Sequence, residues 1–364
     1  MRFATFLLII LLTACVDRIE FELGAGSSPV VVHGFISDEP GPYTVEVSRA
    51  VESDDKLNVR KWISVKRMIL SDSEGASEQL TEVQTGIYKT SPGGIQGKVG
   101  NAYTLRVEMF DGKFYESVPD TLLPAGEMED VYFNFKEQKV AGATEYGFDI
   151  FFNSSAGNSD RLRYIWKLVA TYQVTTNPEQ HVKKVGEGFA PDPRPCSGYV
   201  VGSDGTLQQV GPCECCTCWV SQFDGLPIVS DLLIKEGSYK DVKIGHVPLD
   251  TWLLQHKVHA EVRQQSLGRT AYAFWKAVVE QKAATTSLFQ PITGRIPTNF
   301  VQVSGERGRI EGIFYATGTT SKSVYIERDD VPNSDLLKDP PLPFNESCLF
   351  FADHSTNVKP SYWE

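Results

Sequence analysis

Four cysteines crowd into six positions at Cys213-Glu214-Cys215-Cys216-Thr217-Cys218, with Cys196 upstream and Cys348 far downstream. Sulfur at that density either cross-links or, as thiolate, binds a metal. Structural zinc sites space their cysteines by about two to four residues in two separated pairs, which this run does not do. Disulfides among Cys196, Cys213, Cys215, Cys216, Cys218 and Cys348 are therefore the expectation, with a thiolate metal site as the rival. Spacing alone does not choose the pairing. The seventh cysteine sits in a different setting. Met1-Arg2-Phe3 carries a positive charge, an apolar run from Phe6 to Leu12 follows, and Thr13-Ala14 precede Cys15. That is the pattern of an export signal over residues 1–14; the run is far shorter than the ~20 residues a membrane span needs. The chemistry expected at Cys15 is a thioether to diacylglycerol and cleavage before it. Acyl chains contribute about 0.8 kcal/mol per buried CH₂, so several of them make a lasting anchor.

The remaining chemistry-bearing residues are dispersed. Among the six histidines, His256 and His259 are three apart, but the strand expected there points them to opposite faces. Glu52-Ser53-Asp54-Asp55 and the acidic run from Asp329 to Asp335 lack the spaced ligands and central glycine of a calcium loop and read as solvated loops. No Gly-x-Ser-x-Gly, His-Glu-x-x-His, phosphate loop or dinucleotide glycine pattern occurs. Carboxylate pairs for glycoside hydrolysis meet in space rather than in sequence, and nothing marks one here. No catalytic residue, metal or cofactor is expected.

The elements that must position these residues are mostly strands. Runs at 30–36, 43–48, 63–70, 79–83, 86–90, 103–110 and 113–118 are strand-like and separated by turns, which indicates a sandwich. Gly100-Asn101-Ala102-Tyr103-Thr104 resembles the tyrosine corner of immunoglobulin-like sandwiches, in which the hydroxyl bonds back onto the chain just upstream. Asp111-Gly112 is a hairpin turn. The fold class expected is mainly β: an immunoglobulin-like sandwich over 28–122, behind a lipidated tether at 15–27, and a second β-rich domain over 127–364. Residues 119–126 read as the linker. Within the second domain, strands are expected at 130–135, 146–152, 162–174, 257–264, 300–304, 311–317 and 323–327. Leu267, Ala271, Phe274, Trp275, Val278 and Val279 recur at helical spacing behind Ser266 as N-cap, so 268–283 is a helix whose aromatic stripe packs on the sheet. The turn-rich stretch 186–218 is too long for a passive connection; disulfides would staple it. A formal charge of −11 with scattered signs argues against nucleic acid as a partner.

Several stretches together resemble an uncharacterised family of Bacteroidota outer-membrane lipoproteins, known as domain of unknown function 4249. They are Val32-His33-Gly34-Phe35-Ile36-Ser37-Asp38-Glu39-Pro40-Gly41-Pro42-Tyr43-Thr44-Val45, the Cys-Cys-x-Cys-Trp segment at Cys215 to Trp219, Ala271-Tyr272-x-Phe274-Trp275-Lys276, Gly312-Ile313-Phe314-Tyr315-Ala316, and Lys359-Pro360-Ser361-Tyr362-Trp363-Glu364. The resemblance implies a lipid-anchored, surface-facing outer-membrane protein. It also implies a TonB-dependent β-barrel as partner, with this chain as a non-enzymatic accessory or ligand-capture subunit in nutrient uptake. A free-standing binding or adhesion module is the alternative, and an exported hydrolase ranks below both.

Overall fold

The computed structural model describes residues 28–50, 60–140, 143–155, 163–230, 238–285, 296–306, 308–338 and 343–363. The signal segment, Cys15, the tether and the acidic run at Glu52 to Asp55 lie outside the described residues.

Ten short strands come first: β1 (Val30–Ser37), β2 (Thr44–Arg49), β3 (Lys61–Trp62), β4 (Arg67–Asp72), β5 (Ser77–Gln79), β6 (Thr81–Gln84), β7 (Ile87–Lys89), β8 (Ala102–Glu108), β9 (Phe114–Ser117) and β10 (Asp120–Thr121). Three long strands follow, β11 (Glu127–Val140), β12 (Ala143–Ser155) and β13 (Arg163–Thr175). Two small ribbons come next: β14 (Val182–Val185) with β15 (Gly188–Pro191), and β16 (Tyr199–Val201) with β17 (Leu207–Gln209). The chain continues through β18 (Thr217–Val229), β19 (Ser238–Pro248), β20 (Lys257–Leu267) and the helix α1 (Arg269–Thr285). It closes with β21 (Phe300–Ser304), β22 (Ile310–Thr317), β23 (Thr319–Glu327) and β24 (Ser355–Thr356).

These strands build two sandwiches. In the first, a sheet ordered β22-β1-β2-β7-β6 faces one ordered β21-β9-β8-β4-β5. Period-two alternation sends Val32, Ile36, Val45, Val47, Leu70, Leu105 and Val107 into the space between the sheets, where none is more than 1% exposed. The tyrosine corner forms as expected: the buried Tyr103 hydroxyl accepts from Lys98 N–H at 2.8 Å and donates to the Gln96 carbonyl at 3.4 Å. In the second sandwich β11-β12-β19 faces β23-β20-β13-β18-β24. Its core centres on Trp166, against Phe152 at 5.0 Å and Tyr239 at 4.7 Å between ring centroids. The indole N–H of Trp166 donates to Gln264 Oε1 (2.7 Å), Ser154 Oγ donates to the same oxygen (2.5 Å), and Gln264 Nε2 donates to the Ala125 carbonyl (2.7 Å). A fully buried glutamine is tolerable only when its polar atoms are matched in this way.

Three expectations change. The boundary drawn at 122–127 does not divide the strands, because β21 and β22 hydrogen-bond into the first sandwich, β21 on β9 and β22 parallel to β1 from Val30↔Ile310 to Ser37↔Thr317. Local patterning marks a strand without naming its partner, and this pairing spans most of the chain. Residues 119–126 are not a free linker either. Leu122 is fully buried, and its backbone exchanges bonds with Gly100 and Asn101. Finally, Ser266 is not an N-cap. It belongs to β20, its hydroxyl bonds the Leu123 carbonyl at 2.6 Å, and the first helical bond runs from Tyr272 N–H to the Gly268 carbonyl. The helix itself runs from Arg269 to Thr285, close to the span expected.

α1 lies across the joint between the sandwiches. Ala271 and Phe274 bury Ile165, Val229 and Leu267 of the second together with Ile313 and Tyr315 of the first, and Phe35 stacks on Tyr315 at 5.6 Å. Gly318 alone separates β22 from β23, so one path of chain serves both sandwiches. Its N–H donates to Ser266 Oγ (2.9 Å), and a side chain there would meet the Leu123 carbonyl at 2.5 Å.

Candidate functional site

All six cysteines of the dense run and its outliers form disulfides: Cys196–Cys215, Cys213–Cys216 and Cys218–Cys348. The thiolate metal reading falls, since the sulfurs are consumed as cross-links. Cys218 and Cys348 are fully buried in the second core, so the third bond ties the tail to the sheet. The first two fasten an arm, residues 176–216, that leaves β13 and returns as β18. Cys348 N–H donates to the Cys215 carbonyl (3.0 Å) and Thr176 N–H to the Cys216 carbonyl (2.8 Å), which closes the base of the arm.

Charge pairing holds the stem. Arg194 meets Glu346 through both arms of its guanidinium, Nε to Oε2 at 2.6 Å and Nη2 to Oε1 at 2.5 Å. His181 lies 3.3 Å from Glu346 Oε1 and contacts the Asp192 carbonyl at 2.9 Å. The bidentate contact with Arg194 holds the Glu346 carboxyl below the usual range, and the Lys183 ammonium does the same for Asp192. At Gly198, φ is 75° and a Cβ would lie 2.3 Å from the Gly211 carbonyl, so only glycine closes this turn.

The ribbons at the end of this stem bury almost nothing. Every residue of β14 and β17 is exposed, and a two-stranded ribbon alone is marginal in water. Here the cross-links replace a core by restricting the unfolded arm. Beside exposed polar groups the arm presents apolar ones: Phe189 is 73% exposed, Val210 68%, Val185 56% and Val182 46%; in the tail, Phe350, two residues after Cys348, is 78% exposed.

Other candidates from the sequence do not assemble into a site. His259 is buried between the rings of Tyr325 (5.0 Å) and Tyr362 (4.2 Å), whereas the His256 imidazole meets Thr175 Oγ1 at 3.0 Å before β20 begins. In the acidic run, Asp330 Oδ2 accepts from Glu327 N–H (2.8 Å) and Asn333 Oδ1 from Asp335 N–H (3.0 Å), so these groups cap turns. Among the described residues no cluster of three or more His, Cys, Asp or Glu has metal-holding geometry, and no helix is long and apolar enough to cross a membrane.

The chain is thus a disulfide-bonded protein of two β-sandwiches. It belongs to the family described as domain of unknown function DUF4249, whose model matches residues 16–323. No curated protein matches this chain. Among solved structures the chain is similar to trypsin-activated alpha-2-macroglobulin from Escherichia coli, at 12% identity and a TM-score of 0.18, over 67% of this chain and 15% of that one.

Proposed function

We propose that this chain is an exported lipoprotein, anchored in the outer membrane through Cys15 and facing the cell surface, that docks on a TonB-dependent β-barrel and serves it in nutrient uptake without an enzymatic role of its own. One observation carries the docking reading: an arm with no core of its own, fixed by disulfides and holding Phe189 and its valine neighbours in solvent. The disulfides fit an oxidising compartment, and the signal-like start with Thr13-Ala14-Cys15 supplies the anchor. Gentle detergent extraction through a C-terminal tag, followed by mass spectrometry, tests it. A stoichiometric barrel in the wild type that is lost in a Phe189→Ser/Val210→Ser double variant supports the reading. A lipoprotein recovered alone while the barrel is present in the same membranes overturns it.

A second reading, a free-standing ligand-binding module, draws on a cavity of about 510 Å³ beside the start of β12. Tyr146, Leu249, Leu254, Leu336 and Leu337 form its apolar wall, and Glu145, Asp250, Arg328 and Lys338 line it as charged groups. Co-purification without a barrel, together with ligand-induced protection of the segment Arg328–Lys338, would favour it.

A further inference from the structure

Lys167 of β13 and Arg263 of β20 are direct cross-strand partners. Trp166 and Leu168 point into the core, so Lys167 and Arg263 leave the sheet together on its outer face. Like charges placed so repel. Arg263 has an answer to its charge: its Nη2 lies 3.1 Å from Glu261 Oε2, and its side chain keeps 44% of its surface in water. Lys167 has none. Its ammonium rests 4.8 Å from the centroid of the Trp275 ring on α1, and no carboxylate pairs with it among the described residues.

The His33 imidazole of β1 meets the same indole edge-on at 6.0 Å. Glu46, the cross-strand partner of His33, pairs with Arg60 at 2.6 Å. Glu39, in the connection from β1 to β2, lies in the field of Arg263, Glu261 and Asp38, and Asp38 Oδ1 accepts from Thr319 N–H at 2.8 Å. Burial first and Arg263 second draw the Lys167 ammonium down to about 8, and burial and then Lys167 lower His33. A half-buried cation without a counter-ion is costly, and an aromatic face offsets that cost only in part. Lys167 is thus the cation of this group that no carboxylate meets at ion-pair distance among the described residues, beside Arg263 across the strands and against the indole that His33 also touches.

We propose that Lys167 and Arg263, walled by His33 and Trp275, form a binding site for the oxyanion of a small ligand, a carboxylate or a phosphate group. The guanidinium supplies a planar fork and the ammonium a point charge, the usual division of labour toward such groups. The proposal uses no residue of the arm and stands apart from the docking reading.

The test is an NMR titration of the full chain with its lysines reductively ¹³C-methylated. The Lys167 signal is assigned by its loss in Lys167→Met and checked in Lys167→Arg, which keeps the charge. Lys167 is expected to titrate well below the other lysines. Inorganic phosphate and acetate, added separately at concentrations on the order of millimolar, should raise its midpoint saturably, and the anion that saturates at the lower concentration identifies the ligand group. Arg263→Gln, an exposed position, should weaken that saturation several-fold while the protein stays folded. A Lys167 midpoint that neither anion moves overturns the proposal, as does a drift that never saturates and is shared equally by exposed Lys338.

Discussion

The arm and the joint solve the problem of order in opposite ways. At the joint, order comes from burial and matched polar groups. Ile313 and Tyr315 are fully buried under α1, and the open edge of β22 is closed by side chains rather than by another strand. Asn299 imitates a strand there, its Nδ2 donating to the Phe314 carbonyl (2.5 Å) and its Oδ1 accepting from Phe314 N–H (3.1 Å). Two residues on, Asp120 Oδ2 accepts from Ala316 N–H at 3.1 Å. In the arm, the ribbons bury little and covalent bonds do the holding. That contrast decides where function has room. A surface whose order does not depend on burial can leave its apolar side chains in solvent, whereas every apolar group at the joint is already committed to the fold.

Substitutions at the joint should therefore carry the largest effects. Tyr315→Ala removes a fully buried ring from between α1 and Phe35 and should cost about 3–5 kcal/mol of global stability in denaturant unfolding. A cost below about 1 kcal/mol would mean that the sandwiches do not depend on this contact. Gly312→Ala comes next. Gly312 has φ at +95°, and an added Cβ would fall 1.9 Å from the Val32 carbonyl, so the parallel pairing of β22 on β1 has to open. About 3 kcal/mol is expected, with loss of amide protection along both strands.

Asp120 gives the same contrast a pH dependence. Burial raises its carboxyl from 3.8 to about 6, opposed only by the hydrogen bond from Ala316. Its folded value lies above its unfolded one, so between pH 4 and 6 the folded protein holds more protons. The contribution of Asp120 to stability is therefore present below about pH 4 and is lost as pH rises through 6. Asp120→Asn removes this dependence. Relative to wild type the variant should gain about 2–3 kcal/mol between pH 4 and pH 7.5, read as the difference between paired urea titrations. A difference that is flat with pH would show that the folded protein leaves the Asp120 carboxyl at its ordinary value.

Local physics made the elements legible before their partners. A continuous apolar run located β1, alternation located β20, the 3.6-residue period located α1, and Tyr103 behaves as its flanking residues imply. Pairings over long sequence separation left no local trace. Nothing in Phe300 to Thr317 says that these strands belong with Val30 to Ser37, and nothing in Asn299 or Asp120 says that they cap an edge. The cysteine count foretold disulfides, but the pairing depended on how β18 and the tail meet. The exposed apolar groups of the arm were hidden for another reason: a valine in a two-stranded ribbon looks the same in sequence as one in a buried strand. Lys167 was equally silent, because its partner Arg263 and its cover Trp275 come from other elements.

The arm supplies the smaller effects, and these separate covalent from packed order most sharply. A cross-link of this span restricts the unfolded chain by about 3 kcal/mol in the loop-entropy view. If the arm opens without the sandwiches, that free energy belongs to local opening and leaves global unfolding nearly unchanged. A Cys196→Ser/Cys215→Ser variant should then be cut readily by protease within 176–212 while its urea midpoint moves little; an equal fall in both would place the arm in the same cooperative unit as the core. Phe189→Ser is the limiting case. A ring that is 73% exposed contributes no burial to lose, so the change should lie within about 0.5 kcal/mol of wild type. The same substitution in the joint, Phe274→Ser under α1, removes a ring that is only 9% exposed and should destabilise several-fold more. Equal costs at the two positions would mean that Phe189 is packed in solution, and the arm would then not be a surface free to dock.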